Sequence, residues 1–236
     1  NLILGTTTAS ALRADTAPYS DVPTTNTFAG YIAYCQKEGI ISGYADGTFK
    51  PAATLTGYAF MKMLLGALGY DSDIEGYTGA NWSIAVGKRA LGIGLDDGND
   101  NFVGVNAVTR EEACLYAFNT LKATMVEYDA KTTVSVEGAQ VTVGGSEAKN
   151  VSQDGYKSYT GDSDDTTLEF CEKNFDKLKA KDDTNGFDAP ATKWTYDGDE
   201  IGTYDKDADA TLVVADAEKS LETLITDGDY MDISSK

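Results

Sequence analysis

Apolar residues recur at helical spacing four times in the first 129 residues. Over Thr27–Glu38, Phe28, Ile32 and Cys35 fall at i, i+4 and i+7, and Gly39 supplies a stop. Thr56 then caps a second helix with Phe60, Leu64 and Leu68 on one side, Met61 and Leu65 beside them, and Gly69 at its end. Asn81–Leu91 predicts a third, with Trp82, Val86 and Ala90 on a face. The fourth opens on Thr109-Arg110-Glu111-Glu112, a capping box in which the threonine takes the N3 amide and Glu112 reaches back. Ala113, Ala117 and Leu121 line that helix, with Cys114 and Phe118 adjacent.

Between the paired helices lie two turn-rich stretches, Gly39–Pro51 and Gly92–Thr109. They match one another. Gly43, Asp46 and Gly47 recur as Gly94, Asp97 and Gly98 at a spacing of 51, and Phe49 and Thr56 recur as Phe102 and Thr109 at 53. A period near 50 is internal repetition, each copy reading helix, loop, helix. In the first loop Asp46-Gly47 is a turn signal, Ile40 and Ile41 enter the core, and Lys50-Pro51 is expected to leave the turn extended.

From Asp129 the period changes to two. Thr132–Val143 alternates on both sides of Glu137-Gly138, and Lys193–Tyr196 and Ile201–Tyr204 flank Asp197-Gly198, so two hairpins are expected. Thr166–Lys181 reads as an amphipathic helix through Leu168, Cys171, Phe175 and Leu178. Ala210–Ala215 reads as a strand, and Asp216 caps a short helix through Ile225. The fold class is thus a mainly α N-terminal half of two helix-loop-helix repeats, followed by a small α+β region with hairpins. The expected divisions are an N-terminal segment 1–17, repeats at 18–70 and 71–128, and an α+β domain at 129–236.

Charge narrows the function. The net charge is −19 with no histidine, and residues 1–129 and 130–236 carry −6 and −13 of it. Such a surface repels phosphate backbones and anionic lipid, which argues against nucleic-acid and membrane-surface roles. No apolar run is long enough for a membrane span. Without histidine no Ser-His-Asp or Cys-His nucleophile can form. Cys35, Cys114 and Cys171 lack CxxC spacing, and Cys35 and Cys114 fall at apolar helix positions, so buried free thiols are expected. Ala9-Ser10-Ala11 fits a small-x-small cleavage site, but Leu2-Ile3-Leu4 is too short for a signal core, so Asn1 is expected to open a mature chain.

Tyr19-Ser-Asp-Val22, Gly39-Ile-Ile-Ser-Gly-Tyr-Ala-Asp-Gly-Thr-Phe-Lys-Pro51 and Thr109-Arg-Glu-Glu112 together resemble the S-layer homology (SLH) family over residues 18–128. The resemblance implies helix-loop-helix repeats outside a bacterial cell, usually three in a pseudo-threefold module. Such modules bind secondary cell-wall polymers, often pyruvylated, through an arginine of a Thr-Arg-Ala-Glu motif. Thr109, Arg110 and Glu112 match that motif. Thr56-Gly57-Tyr58-Ala59 stands at the corresponding place in the first repeat and lacks both arginine and glutamate, and no third repeat is found. Arg110 has two readings, a ligand to an anionic polymer or a solvated helix start. Trp82 is either a sugar-stacking ring or core. The second half looks, more loosely, like segments following such repeats in large clostridial surface proteins.

Asp205, Asp207, Asp209 and Asp216 follow an EF-hand-like count, but Ala210 stands where that loop needs glycine. Calcium there competes with a solvated acidic loop, and no other cofactor is expected. Asp162–Asp165 is read as capping the next helix. The carboxylate pairs Asp96/Asp97 and Glu111/Glu112 have structural explanations, so a non-catalytic role is expected. Two functions remain: an extracellular surface-layer protein contacting a wall polymer or peptidoglycan-associated glycan, with self-association, or a structural subunit of a lattice or filament without polymer binding.

Overall fold

The computed structural model describes residues 5–130, 132–136, 139–143, 145, 147–153, 166–175, 177–206, 210–214 and 230–235. It is a mixed α+β chain of two compact units, 1–176 and 177–236. The break falls inside the region expected to be α+β.

The first unit begins with α1 (Gly5–Ser10) and α2 (Ala29–Lys37), followed by α3 (Gly57–Leu68), α4 (Trp82–Gly92) and α5 (Arg110–Lys122). Helix α3 is amphipathic, and its innermost stripe is Met61, Leu65 and Leu68, each 0% exposed. Phe60 and Leu64, expected to share the central face, are only partly buried beside it. These side chains meet Val86 and Ala90 of α4, Leu95, and Tyr116 of α5 in one core. That core is continued by Met125, Val126, Val151, Leu168 and Phe170. The continuation is held by backbone bonds: the Met125 amide donates to the Leu168 carbonyl (2.8 Å), Leu168 to Val151 (3.0 Å) and Val151 to Met125 (2.9 Å). A smaller cluster joins Tyr19, Val22, Ala29 and Ile32, with Ile41 and Phe49 packed against it.

The short pair β1 (Val126–Tyr128) and β4 (Ala148–Asn150) is antiparallel, as is the expected hairpin β2 (Thr132–Val136) and β3 (Ala139–Val143). The second unit holds a three-stranded meander, β5 (Leu178–Thr184), β6 (Pro190–Tyr196) and β7 (Asp199–Asp205), and a pair β8 (Ala210–Val214) with β9 (Tyr230–Ser235). Asp197 and Gly198, both with positive φ (55° and 93°), make the tight β6–β7 turn. Strand β9 had no counterpart in the sequence reading.

Five expectations need correction. The helix foreseen over 166–181 is confined to α6 (Phe170–Asn174). Leu178–Thr184 is instead strand β5, paired along its whole length with β6. A full ladder of cross-strand bonds overrides the weak helix preference of Asp182, Asp183 and Thr184. Phe28 precedes α2 rather than joining its buried face and is 63% exposed, because the helix starts at Ala29. On α5 the buried positions are Tyr116, Asn119 and Thr120, whereas Ala113, Ala117 and Leu121 are half-buried. The Asn119 amide donates to the Leu95 and Asp97 carbonyls (3.1 and 2.9 Å) and the Thr120 hydroxyl to the Tyr116 carbonyl (2.8 Å), so polar groups are satisfied inside. That rotation leaves the Cys114 thiol exposed, with Cys35 half-buried and only Cys171 buried; all three are free. Finally, Lys50 is not extended but left-handed, with φ 56°. The Asp162–Asp165 stretch and the helix expected over 216–225 lie outside the described residues.

The first glycine-rich loop is held from outside by Asp21. Its carboxylate accepts the Phe49 amide at Oδ1 (2.8 Å) and the Lys50 amide at Oδ2 (2.7 Å), which keeps Lys50 in its left-handed state. Tyr19 stacks on Phe49 with centroids 5.4 Å apart. Asp46 closes the turn by accepting from the Thr48 amide and hydroxyl (3.0 and 2.6 Å), while Gly43 and Gly47 supply positive φ. Gly94 and Gly98, the matching positions downstream, take the same left-handed conformation.

The Phe49 amide is the largest influence holding the Asp21 carboxyl below the usual carboxylate range. A depressed folded pKa stabilises the loop above the unfolded value, near 3.9, and that contribution is lost as pH falls through the folded value. The protection of the Phe49 and Lys50 amides, measured against the intrinsic exchange rate at each pH, should therefore fall as the solution is acidified below about pH 4. In Asp21→Asn that protection should be low at all pH values. Equal protection in both proteins would refute this account of the loop.

Candidate functional site at two helix starts

Helices α3 and α5 begin alike. Thr56 accepts the Ala59 amide at its hydroxyl (3.3 Å), and Thr109 accepts the Glu112 amide (3.1 Å). At α5 the box is complete, since Glu112 Oε2 accepts the Thr109 amide (2.7 Å). That bond is the largest influence holding the Glu112 carboxyl below its usual range. Thr109 and Glu112 thus hold the helix start in place.

The two starts lie against one another through the backbone. Thr56 bridges Ala107, and the Val108 amide donates to the Leu55 carbonyl (2.9 Å). The Gly57 amide donates to Asn106 (2.9 Å) and the Tyr58 amide to Gly104 (2.8 Å). With Thr56 also taking Ala59 and Phe60, all four leading amides of α3 are satisfied.

Helix α5 is different. Its third and fourth amides, Glu112 and Ala113, go to Thr109, but among the described residues nothing accepts the amides of Arg110 and Glu111. The Arg110 side chain is exposed, and among the described residues it has neither an ion-pair nor a hydrogen-bond partner. A cation in the first turn opposes the helix dipole, so Arg110 gains nothing from its place in the fold. The start of α5 thus carries two amides with no acceptor among the described residues and one exposed guanidinium, groups of the kind that bind a carboxylate or phosphate.

Trp82, at the start of α4, is half-buried against the main core. Lys62 Nζ lies 5.9 Å from its ring centroid and donates to the Tyr77 carbonyl (2.8 Å) and Ser42 Oγ (3.3 Å). Burial lowers the Lys62 pKa. No contact between Trp82 and Arg110 is found among the described residues. Sequence reasoning missed Lys62, a single cation inside an apolar stripe with no motif around it. A cleft of about 240 Å³ lies between Leu91, Phe102 and the acidic stretch 96–100. Its sign of charge is wrong for an anionic ligand.

Of the candidate calcium ligands, Asp207, Asp209 and Asp216 lie outside the described residues, and Asp205 accepts the Asn185 side-chain amide (2.8 Å). No group of three or more acidic or cysteine side chains is arranged to hold a metal among the described residues. Nor is any helix there long and apolar enough to cross a membrane.

Residues 18–57 match the family model of the S-layer homology domain. The chain is 30% identical over 111 residues to the middle cell wall protein of Brevibacillus brevis, covering 46% of this chain and 10% of that protein. It is 36% identical over 58 residues to a surface layer protein of Brevibacillus choshinensis, covering 25% of this chain and 5% of that protein. The chain thus spans a tenth or less of these curated relatives. No solved structure matches it.

Proposed function

We propose, from the match of residues 18–57 to the S-layer homology domain, that this chain is a non-catalytic surface-layer protein contacting an anionic secondary cell-wall polymer at Arg110. It works outside the cell, at the wall. Residues 18–70 and 71–128 act as two helix-loop-helix repeats, and the start of the second repeat's long helix is the seat. The observation that carries this reading is that Arg110, exposed and without a side-chain partner among the described residues, heads a helix whose first two amides have no acceptor there either. Thr109 and Glu112 orient the seat, and Trp82, with one face toward Lys62, offers a sugar platform apart from it.

The test is retention on purified wall sacculi. Charge-assisted bonds to guanidinium are worth about 1.5–3 kcal/mol, so Arg110→Ala should bind about 10- to 100-fold more weakly. Retention of the wild type should fall with salt, because the seat is exposed. The variant removes a cation from a helix start and should fold normally, as circular dichroism would confirm. Equal retention would discard Arg110 as the ligand.

A second reading, assembly into a lattice or filament without polymer, is favoured by the exposed apolar side chains Ile84 (70%) and Val105 (70%). Sedimentation without polymer separates the two readings.

A further inference from the structure

We propose that the corresponding start of α3 is a closed seat, shut by the second repeat's own backbone, and that Gly57 is the residue that permits the closure. The amides of Gly57 and Tyr58, the counterparts of those left open at α5, are taken by the carbonyls of Asn106 and Gly104 at 2.9 and 2.8 Å. A carboxylate arriving there would have to displace the segment 104–108, whose end is also tied to α3's approach by the Thr56–Ala107 bridge and the Val108–Leu55 bond.

The approach needs a residue without a side chain. A Cβ at position 57 would stand 2.9 Å from the Phe102 ring and 3.2 Å from the Gly104 Cα. Phe102 is held on this side by edge-on packing against Tyr58 (5.8 Å) and Tyr116 (5.7 Å), so making room for a Cβ disturbs both contacts. Gly104 is equally constrained, since a Cβ there would fall 2.3 Å from the Tyr58 ring. Glycine at the α3 start lets the neighbouring segment 104–108 seal it, whereas the α5 start carries arginine and no such segment takes its first two amides among the described residues. The two helix starts then differ in use, that of α3 serving as an internal joint with no amides left for an anion. This inference rests on the reading of Arg110 as an anion seat, but its two halves are separable.

Amide exchange and a titration with sodium acetate at constant ionic strength, both followed residue by residue by NMR on the full chain, test it. Gly57 and Tyr58 should exchange at least about 100-fold more slowly than Arg110 and Glu111, reflecting their bonded state. Acetate should shift the Arg110 and Glu111 amides and leave Gly57 and Tyr58 unmoved. Fast exchange at Gly57 and Tyr58, or acetate shifts there, would overturn the closed seat. Slow exchange at Gly57 with no acetate shift anywhere would uphold the closure and remove the Arg110 reading instead.

Discussion

Gly57→Arg should unfold the first unit at markedly lower urea concentration, not equip it with a second anion seat. The substitution gives α3 the arginine that α5 carries at the corresponding position, and by sequence analogy alone it looks like a gain. The geometry says otherwise. The new Cβ meets the Phe102 ring and the Gly104 backbone inside contact distance, and the remaining side chain has to leave through the space that segment 104–108 fills. Forcing it in breaks the two bonds from the Gly57 and Tyr58 amides and disturbs the edge-on stack of Tyr58, Phe102 and Tyr116. Overpacking costs about 1–3 kcal/mol and each lost backbone bond about 1 kcal/mol, so a loss on the order of 3 kcal/mol or more is expected. Every described helix lies in the first unit, so ellipticity at 222 nm reports on it. An unfolding free energy within about 0.5 kcal/mol of wild type would mean that the joint at α3 is loose, since surface changes stay in that range.

Leu65→Ala should cost about 3 kcal/mol, and Leu64→Ala less than about 1.5 kcal/mol. The two leucines are neighbours on α3 and equivalent to any hydrophobicity scale. Leu65 is 0% exposed, between Met61 and Leu68 and within the core shared by α4 and α5, where the removed carbons leave a cavity. Leu64 lies at the margin, partly open to solvent, and its neighbours can relax around the loss. The same urea series measures both. Equal effects would place the helix rotated by half a residue spacing from the orientation described here.

Much of the helical part was legible because its signals are local. Thr56 and Thr109 cap, Gly69 ends α3 with φ 104°, and Gly43, Gly47, Gly94 and Gly98 turn left-handed, all as residue type and spacing suggest. The Asp197-Gly198 hairpin was equally readable. Other features had no local signature. Asn119 is buried because the Leu95 and Asp97 carbonyls, 24 and 22 positions earlier in the chain, accept its side-chain protons. The amphipathic spacing through Leu178 gave no warning that β6 would draw this segment into a ladder. Lys50 is left-handed because of a carboxylate 29 positions earlier in the chain.

The candidate site divides the same way. Residue type and periodicity alone determined that two helix starts correspond, that one carries arginine and glutamate where the other carries glycine and alanine, and that the surface is acidic. Those are properties of single positions and of their spacing. Only the folded chain decided that the glycine start is sealed and the arginine start open, because closure depends on which backbone carbonyls come within 3 Å of an amide from elsewhere in the chain. Hydrogen bonding and steric exclusion act over contact distances in space, and the fold alone determines which distant residues come that close.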